Sequence, residues 1–90
     1  MRLALTSYIE AAMETTTYEK LEDGTYGGEI PGLEGVIAFG PTLRQCQQEL
    51  RSTLEDWILV GFHLGHTLPV IAGIDLNKAA HAPLDSLQAA

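Results

Sequence analysis

Apolar positions recur along this chain first at helical spacing, then at strand spacing, then at helical spacing again. Between residues 3 and 14, Leu5, Tyr8, Ile9, Ala12 and Met13 fall three and four apart, with Thr6, Ser7, Glu10 and Glu14 on the other side. That pattern predicts a short amphipathic helix. Thr15-Thr16-Thr17 ends it with β-branched residues, and Tyr18-Glu19-Lys20-Leu21 continues as a strand. Asp23-Gly24 predicts a two-residue hairpin turn of type I′, since both residues tolerate positive φ; Glu22 would then face Thr25, and Leu21 would face Tyr26. The second strand, Tyr26 to Ile30, contains Gly27-Gly28, which predicts a bulge or the close approach of another backbone.

Prolines and glycines punctuate residues 30 to 42, so the chain turns, extends, turns again and enters a helix. The extended part, Val36 to Phe39, is apolar throughout, which predicts a strand covered on both faces or set in an interface. Thr42 and Gln45 have the spacing of a capping box, and the helix they open should run from Leu43 to about Leu64. Its sheet-facing stripe is Leu43, Cys46, Leu50, Leu54, Trp57, Ile58 and Gly61; Gly65 supplies the left-handed residue that closes it, and Pro69 stops it resuming. Near its end Ile58, Leu59, Val60 and Phe62 leave almost no polar face. One sheet needs only a stripe, so the surplus predicts a homo-oligomer, at least a dimer, with Leu59, Val60 and Phe62 in its interface. The competing arrangement folds the N-terminal helix, through Leu5, Ile9 and Met13, over the same surface. Leu68-Pro69-Val70-Ile71 and Ile74-Asp75-Leu76, broken by Ala72-Gly73, predict one long irregular strand or two short ones, the last of them joining the sheet beside the first hairpin through a right-handed crossover. The result is an α+β domain: an N-terminal helix and linker over 1–17, then β-β-β-α-β over 18–76 with a three- or four-stranded sheet covered by the long helix, then a disordered tail over 77–90.

Composition narrows the setting. Ninety residues, 46% of them hydrophobic, make one small domain with little apolar material to spare. No run approaches the roughly 18 to 20 apolar residues that span a bilayer. A single cysteine, Cys46, forms no internal disulfide and agrees with a reducing cytoplasm, where we expect the protein to reside. Twelve acids against five bases leave a net charge of -7. Such a surface repels phosphate backbones, so direct nucleic-acid binding is disfavoured and a basic protein partner is favoured.

Candidate chemistry is sparse. His63 and His66 are spaced as a metal-binding pair but lack further ligands at matched spacing, and histidines at a helix C-terminus also answer to the dipole. Cys46 lies on the apolar stripe as a small hydrophobe, and His81 lies in the tail. A metal-dependent phosphodiesterase would need several acids projecting from mid-strand, and only Glu29 and Asp75 could converge. The glycines are not followed by the Lys-Ser/Thr of a phosphate loop. Tyr8, Tyr18 and Tyr26 lack the basic neighbours of an RNA-stacking platform. No catalytic residue, metal or cofactor is expected.

The succession of Tyr18, the Asp23-Gly24 hairpin, Tyr26, Ile30-Pro31, Leu33, Gly35-Val36, Gly40, Thr42-Leu43 and a helix reaching Trp57 resembles the HicB-like antitoxin domain, over about two thirds of the chain. The resemblance implies a partial RNase H fold without nuclease activity, and a domain that occludes HicA, a small basic toxin that cleaves messenger RNA. Gly32 and Glu34 stand where that family usually has an acid and a proline. Fourteen residues follow Leu76 without a helix-turn-helix or ribbon-helix-helix pattern, so repression of an operon by this chain is not expected. The partner contacts expected from charge are Glu22, Asp23, Tyr26, Glu29 and Glu34. The alternative is a solitary member of the same kind, an oligomeric scaffold or small-ligand binder without a toxin.

Overall fold

A computed structural model describes residues 3–77 and shows an α+β domain. Helix α1 (Ala4–Glu14) buries Tyr8, Ile9 and Ala12, the inward positions of its apolar stripe. Thr15 closes it by donating its hydroxyl to Ala12 O at 2.8 Å. Strands β1 (Thr17–Lys20), β2 (Tyr26–Glu29) and β3 (Ile37–Gly40) form one antiparallel sheet in the order β1-β2-β3. Helix α2 (Leu43–Leu64) lies across β3 and β2, with Cys46, Leu50, Leu54, Ile58 and Gly61 buried against the sheet and α1.

The first hairpin is one residue longer in its loop than the sequence predicts. Lys20, not Leu21, pairs with Tyr26, and Leu21 N–H donates to Thr25 O at 2.7 Å. Gly24 N–H donates to Leu21 O at 2.9 Å, closing a turn over Glu22 and Asp23, and Gly24 alone in this loop takes the left-handed conformation, at φ 86°. A three-residue loop of this kind needs one left-handed residue instead of two. Asp23 stays at negative φ because its carboxylate is engaged locally, accepting from Thr25 N at 3.0 Å and Thr25 Oγ1 at 2.6 Å. The shift of one residue puts Leu21 and Tyr26 on opposite faces of the sheet.

Gly27 and Gly28 make no bulge; the ladder runs unbroken through both on either side. What approaches them is side chain. A Cβ on Gly28 would lie 2.9 Å from the Tyr18 ring and 3.3 Å from Cys46 Sγ, and one on Gly27 would lie 3.1 Å from the Phe39 ring. On β3 the backbone itself comes close, since a Cβ on Gly40 would lie 2.5 Å from Cys46 N. Small residues under α2 let helix and sheet meet at this short range.

Thr42 caps α2, accepting from Gln45 N at 3.1 Å, while its hydroxyl donates to Gln45 Oε1 at 3.1 Å. The helix ends as expected at Gly65, with φ 73°, where Gly65 N–H bonds Phe62 O and His66 N–H bonds Gly61 O. Leu43 is largely exposed and Trp57 half-buried, so the stripe is narrower at both than its sequence suggests.

Among the described residues no fourth strand joins the sheet. Ile71 and Ile74 pair with each other around Ala72 (φ 50°) and Gly73 (φ 76°), and the chain doubles back before it can reach β1. Both central residues are left-handed, so the type I′ turn expected at residues 23–24 occurs here instead. This segment covers the end of the core with Leu68 and Leu76. Asn77 secures it, accepting from Leu68 N at 2.8 Å and donating to Leu68 O at 2.7 Å. Tyr8 links α1 to the same segment by donating to Pro69 O at 2.7 Å, and burial of its ring raises the phenol pKa above the ordinary value. The rest of the expected tail, with His81, lies outside the described residues.

Candidate functional site: the open face of the sheet

Strand alternation gives the sheet two faces. Tyr18, Lys20, Tyr26, Gly28, Ala38 and Gly40 share the side on which α2 packs. Thr17, Glu19, Leu21, Gly27, Glu29, Ile37 and Phe39 share the other, and among the described residues no element covers it. Ile37 and Phe39 are 49% and 60% exposed there. Of the two arrangements expected for the third strand, cover on both faces or a place in an interface, the first is not found among the described residues: its apolar residues alternate between core and solvent, with Val36 and Ala38 buried and Ile37 and Phe39 not.

The open face is shaped as well as apolar. Gly27 has no side chain to fill the centre of the sheet, so the Phe39 ring leans over it from β3 and Leu21 from the hairpin. Thr17 and Glu19 on β1, Glu29 on β2 and Ile37 complete a shallow hollow of about 490 Å³. Among the described residues two carboxylates and no cation stand on this face; the neighbouring Lys20 belongs to the helix side. Apolar floor and acidic rim together suit a partner with an apolar anchor and basic surroundings.

The five residues expected to contact a partner are not gathered into one cluster. Glu22 and Asp23 are exposed at the hairpin tip, and Tyr26 is half-buried at the adjoining end of β2 on the helix side. Glu29 ends β2 three residues further on, about 10 Å away at strand spacing. Exposed Glu34 lies in the turn beyond it. Glu29 is the member of the set that stands on the open face, while Glu22 and Asp23 border it at the hairpin end. Hydrogen bonds from the Thr25 hydroxyl and then its amide hold the Asp23 carboxyl below its ordinary pKa, so it is charged at neutral pH. Charge counting missed Leu21, Gly27, Ile37 and Phe39. The signal that could have found them is the alternation in Val36-Ile37-Ala38-Phe39 set opposite two glycines, which leaves one face filled and the other bare.

A second apolar surface lies at the end of α2, where Leu59 is 63% and Val60 55% exposed, with Phe62 at 37%. Helix α1 does not cover these residues; it buries Tyr8, Ile9 and Ala12 in the core. A groove on the opposite side of the sheet from the open face, between the end of α1 and the flank of α2, is lined by Met13, Glu14, Tyr18, Arg44, Gln47, Gln48 and Arg51. No group of three or more His, Cys, Asp and Glu side chains is placed to share a metal ion among the described residues. Cys46 is buried, and burial raises its thiol pKa. No helix among the described residues is long and apolar enough to cross a membrane.

Fold and face together define a small α+β domain whose three-stranded sheet is packed on one side and, among the described residues, bare on the other. Residues 7–69 match the UPF0150-like family, which is related to the HicB-like antitoxins, and the chain belongs to that family. Among solved structures it is similar to TTHA0281 from Thermus thermophilus, at 41% identity and a TM-score of 0.75, over 80% of this chain and 90% of that one. No curated protein matches the chain.

Proposed function

We propose that this protein acts as a HicB-like antitoxin, binding a small basic RNA-cleaving protein of the HicA type and covering its active surface. The observation that carries this reading is the open sheet face, with an apolar floor at Leu21, Ile37 and Phe39, Glu19 and Glu29 at its rim, and a chain of net charge -7 behind it. Exposed apolar surface of this kind marks a binding site. A surplus of negative charge steers a basic partner onto it and repels the RNA that such a toxin binds. The buried anchors would hold the complex, and the rim would set the rate of encounter and its salt dependence.

The test begins with the gene neighbouring this one. If it encodes a small basic protein, the two are expected to co-purify, and the complex is expected to lose the messenger-RNA cleavage that the basic protein shows alone. A basic neighbour that neither co-purifies nor is inhibited would overturn the reading.

A second reading, a self-associating scaffold without a toxin, draws on the exposed Leu59, Val60 and Phe62. From Trp57 to His66 the end of α2 and its cap carry no acid, so copies could meet there without like-charge repulsion. Val60→Glu is expected to lower the mass of such an assembly, whereas Gln47→Glu on the other flank is not.

A further inference from the structure

The two edges of the sheet are unlike. β1 carries Glu19 and Lys20, the charged residues with which edge strands avoid pairing. β3, Ile37 to Gly40, carries neither charge nor proline. Its backbone is also directed in a specific way. Ile30 N–H donates to Val36 O at 3.3 Å, in the register that sets Gly28 against Ala38 and Tyr26 against Gly40. In an antiparallel ladder, alternate residues turn their N–H and C=O groups to the same neighbour. Val36, Ala38 and Gly40 therefore address β2, and Ile37 and Phe39 present their backbone groups outward. Among the described residues no strand or loop takes up those outward groups.

We propose that this edge pairs with the same edge of a second copy, joining two three-stranded sheets into one six-stranded antiparallel sheet about a two-fold axis at Ala38. The register follows from the backbone. With the axis at Ala38, Ile37 stands opposite the partner's Phe39, and each such pair exchanges both N–H···O=C bonds, so every outward group of both residues is satisfied. Moving the axis to Ile37 or to Phe39 leaves half of those groups without a partner in the strand. The same register brings the exposed Phe39 ring beside the partner's Ile37, a cross-strand aromatic and β-branched pair that removes part of both from water.

Of the two edges, β3 is the one at which two acidic copies repel less. A two-fold at β3 places the two β1 strands, with Glu19, at the far ends of the joined sheet, so the acidic rims do not meet. Arg44, Gln47, Gln48 and Arg51 line the α2 flank that faces α1 and Tyr18. Gln45, Glu49, Thr53 and Asp56 therefore occupy the flank over β3, and Glu49, one turn from the Cys46 that bonds Ala38 O, is the charged group of that flank nearest the axis and its own copy. Its removal should tighten the contact.

The experiment uses the full chain alone and needs no toxin, so it stands or falls separately from the antitoxin reading. Sedimentation equilibrium at about 100 μM is expected to show a dimer of the 9.7 kDa chain, and the amides of Ile37 and Phe39 are expected to exchange with solvent at least about 100-fold more slowly than in dilute monomer. Phe39→Lys changes a side chain already exposed in the single chain. It is expected to raise the dimer dissociation constant at least about tenfold with the circular-dichroism spectrum unchanged, while Glu49→Gln lowers it. Ile37→Pro, which deletes one outward N–H, is expected to act as Phe39→Lys does. A monomer at every concentration would overturn the proposal. So would a dimer in which the Ile37 and Phe39 amides exchange freely, or one that dissociates on Val60→Glu but not on Phe39→Lys, since association would then lie at the end of α2.

Discussion

The two faces of one small sheet are built on opposite principles. Under α2, beside Tyr18 and Tyr26, stand Gly28, Ala38 and Gly40, and at Gly40 helix backbone and strand backbone nearly touch. On the other side stand Leu21, Ile37 and Phe39, large and apolar, with nothing above them among the described residues. A domain of this size has little apolar surface to spare, so the big side chains would be expected on the packed side. The covered face holds the domain together by close approach, whereas the open face leaves large apolar side chains in water among the described residues.

The contrast between the faces should be most severe at Gly40. Alanine there would set a Cβ 2.5 Å from the Cys46 backbone nitrogen, which cannot rotate away, and Gly40→Ala is expected to cost about 3 kcal/mol in denaturant unfolding. The neighbouring glycines give a finer test, because they share a strand but belong to opposite faces. Gly28→Ala meets the Tyr18 ring and Cys46 Sγ, side chains that can shift, and should cost about 1 to 2 kcal/mol. Gly27→Ala meets the Phe39 ring, which is free to move into solvent, and should change stability by no more than about 0.5 kcal/mol. Equal losses at the two positions would mean that the open face is packed after all.

The smallest effect lies at the hairpin tip beside the open face. The Asp23 pKa is lowered by its bonds to Thr25, so its contribution to stability is present above the unfolded carboxylate pKa and is lost as pH falls through the lowered folded value. Thr25→Val removes the hydroxyl donor, the larger cause. It should move the Asp23 titration, followed by NMR, upward toward the ordinary carboxylate range.

Much of this architecture was legible in the chain. Both helices followed from apolar spacing, and the ends of α2 followed from Thr42 and Gly65, because a capping oxygen and a left-handed glycine are local devices. The errors arose where a choice depended on contacts remote in sequence or on one competing hydrogen bond. Asp23-Gly24 is compatible with two loop lengths, and the Asp23 carboxylate decided between them by taking Thr25. Residues 68–71 and 74–76 read as strand by composition with a break at Ala72-Gly73, yet the two left-handed residues at that break turn the chain back on itself instead of carrying it to the sheet. The site was the least legible part. Glu22, Asp23, Glu29 and Glu34 announce themselves by charge, but the hollow is made by the absence of a side chain at Gly27 and by which way Phe39 points. Both depend on register, and a hairpin one residue out reverses the face on which Leu21 lies.

Whether the open face receives a basic partner is decided by NMR titration of the labelled protein with the neighbouring basic protein. Shifts are expected to concentrate on Glu19, Leu21, Gly27, Glu29, Ile37 and Phe39, and the double reversal Glu19→Lys with Glu29→Lys should weaken binding at least about tenfold and flatten its salt dependence. Shifts confined to Leu59, Val60 and Phe62, with binding untouched by the reversal, would put the partner at the end of α2 and refute a role for the open face.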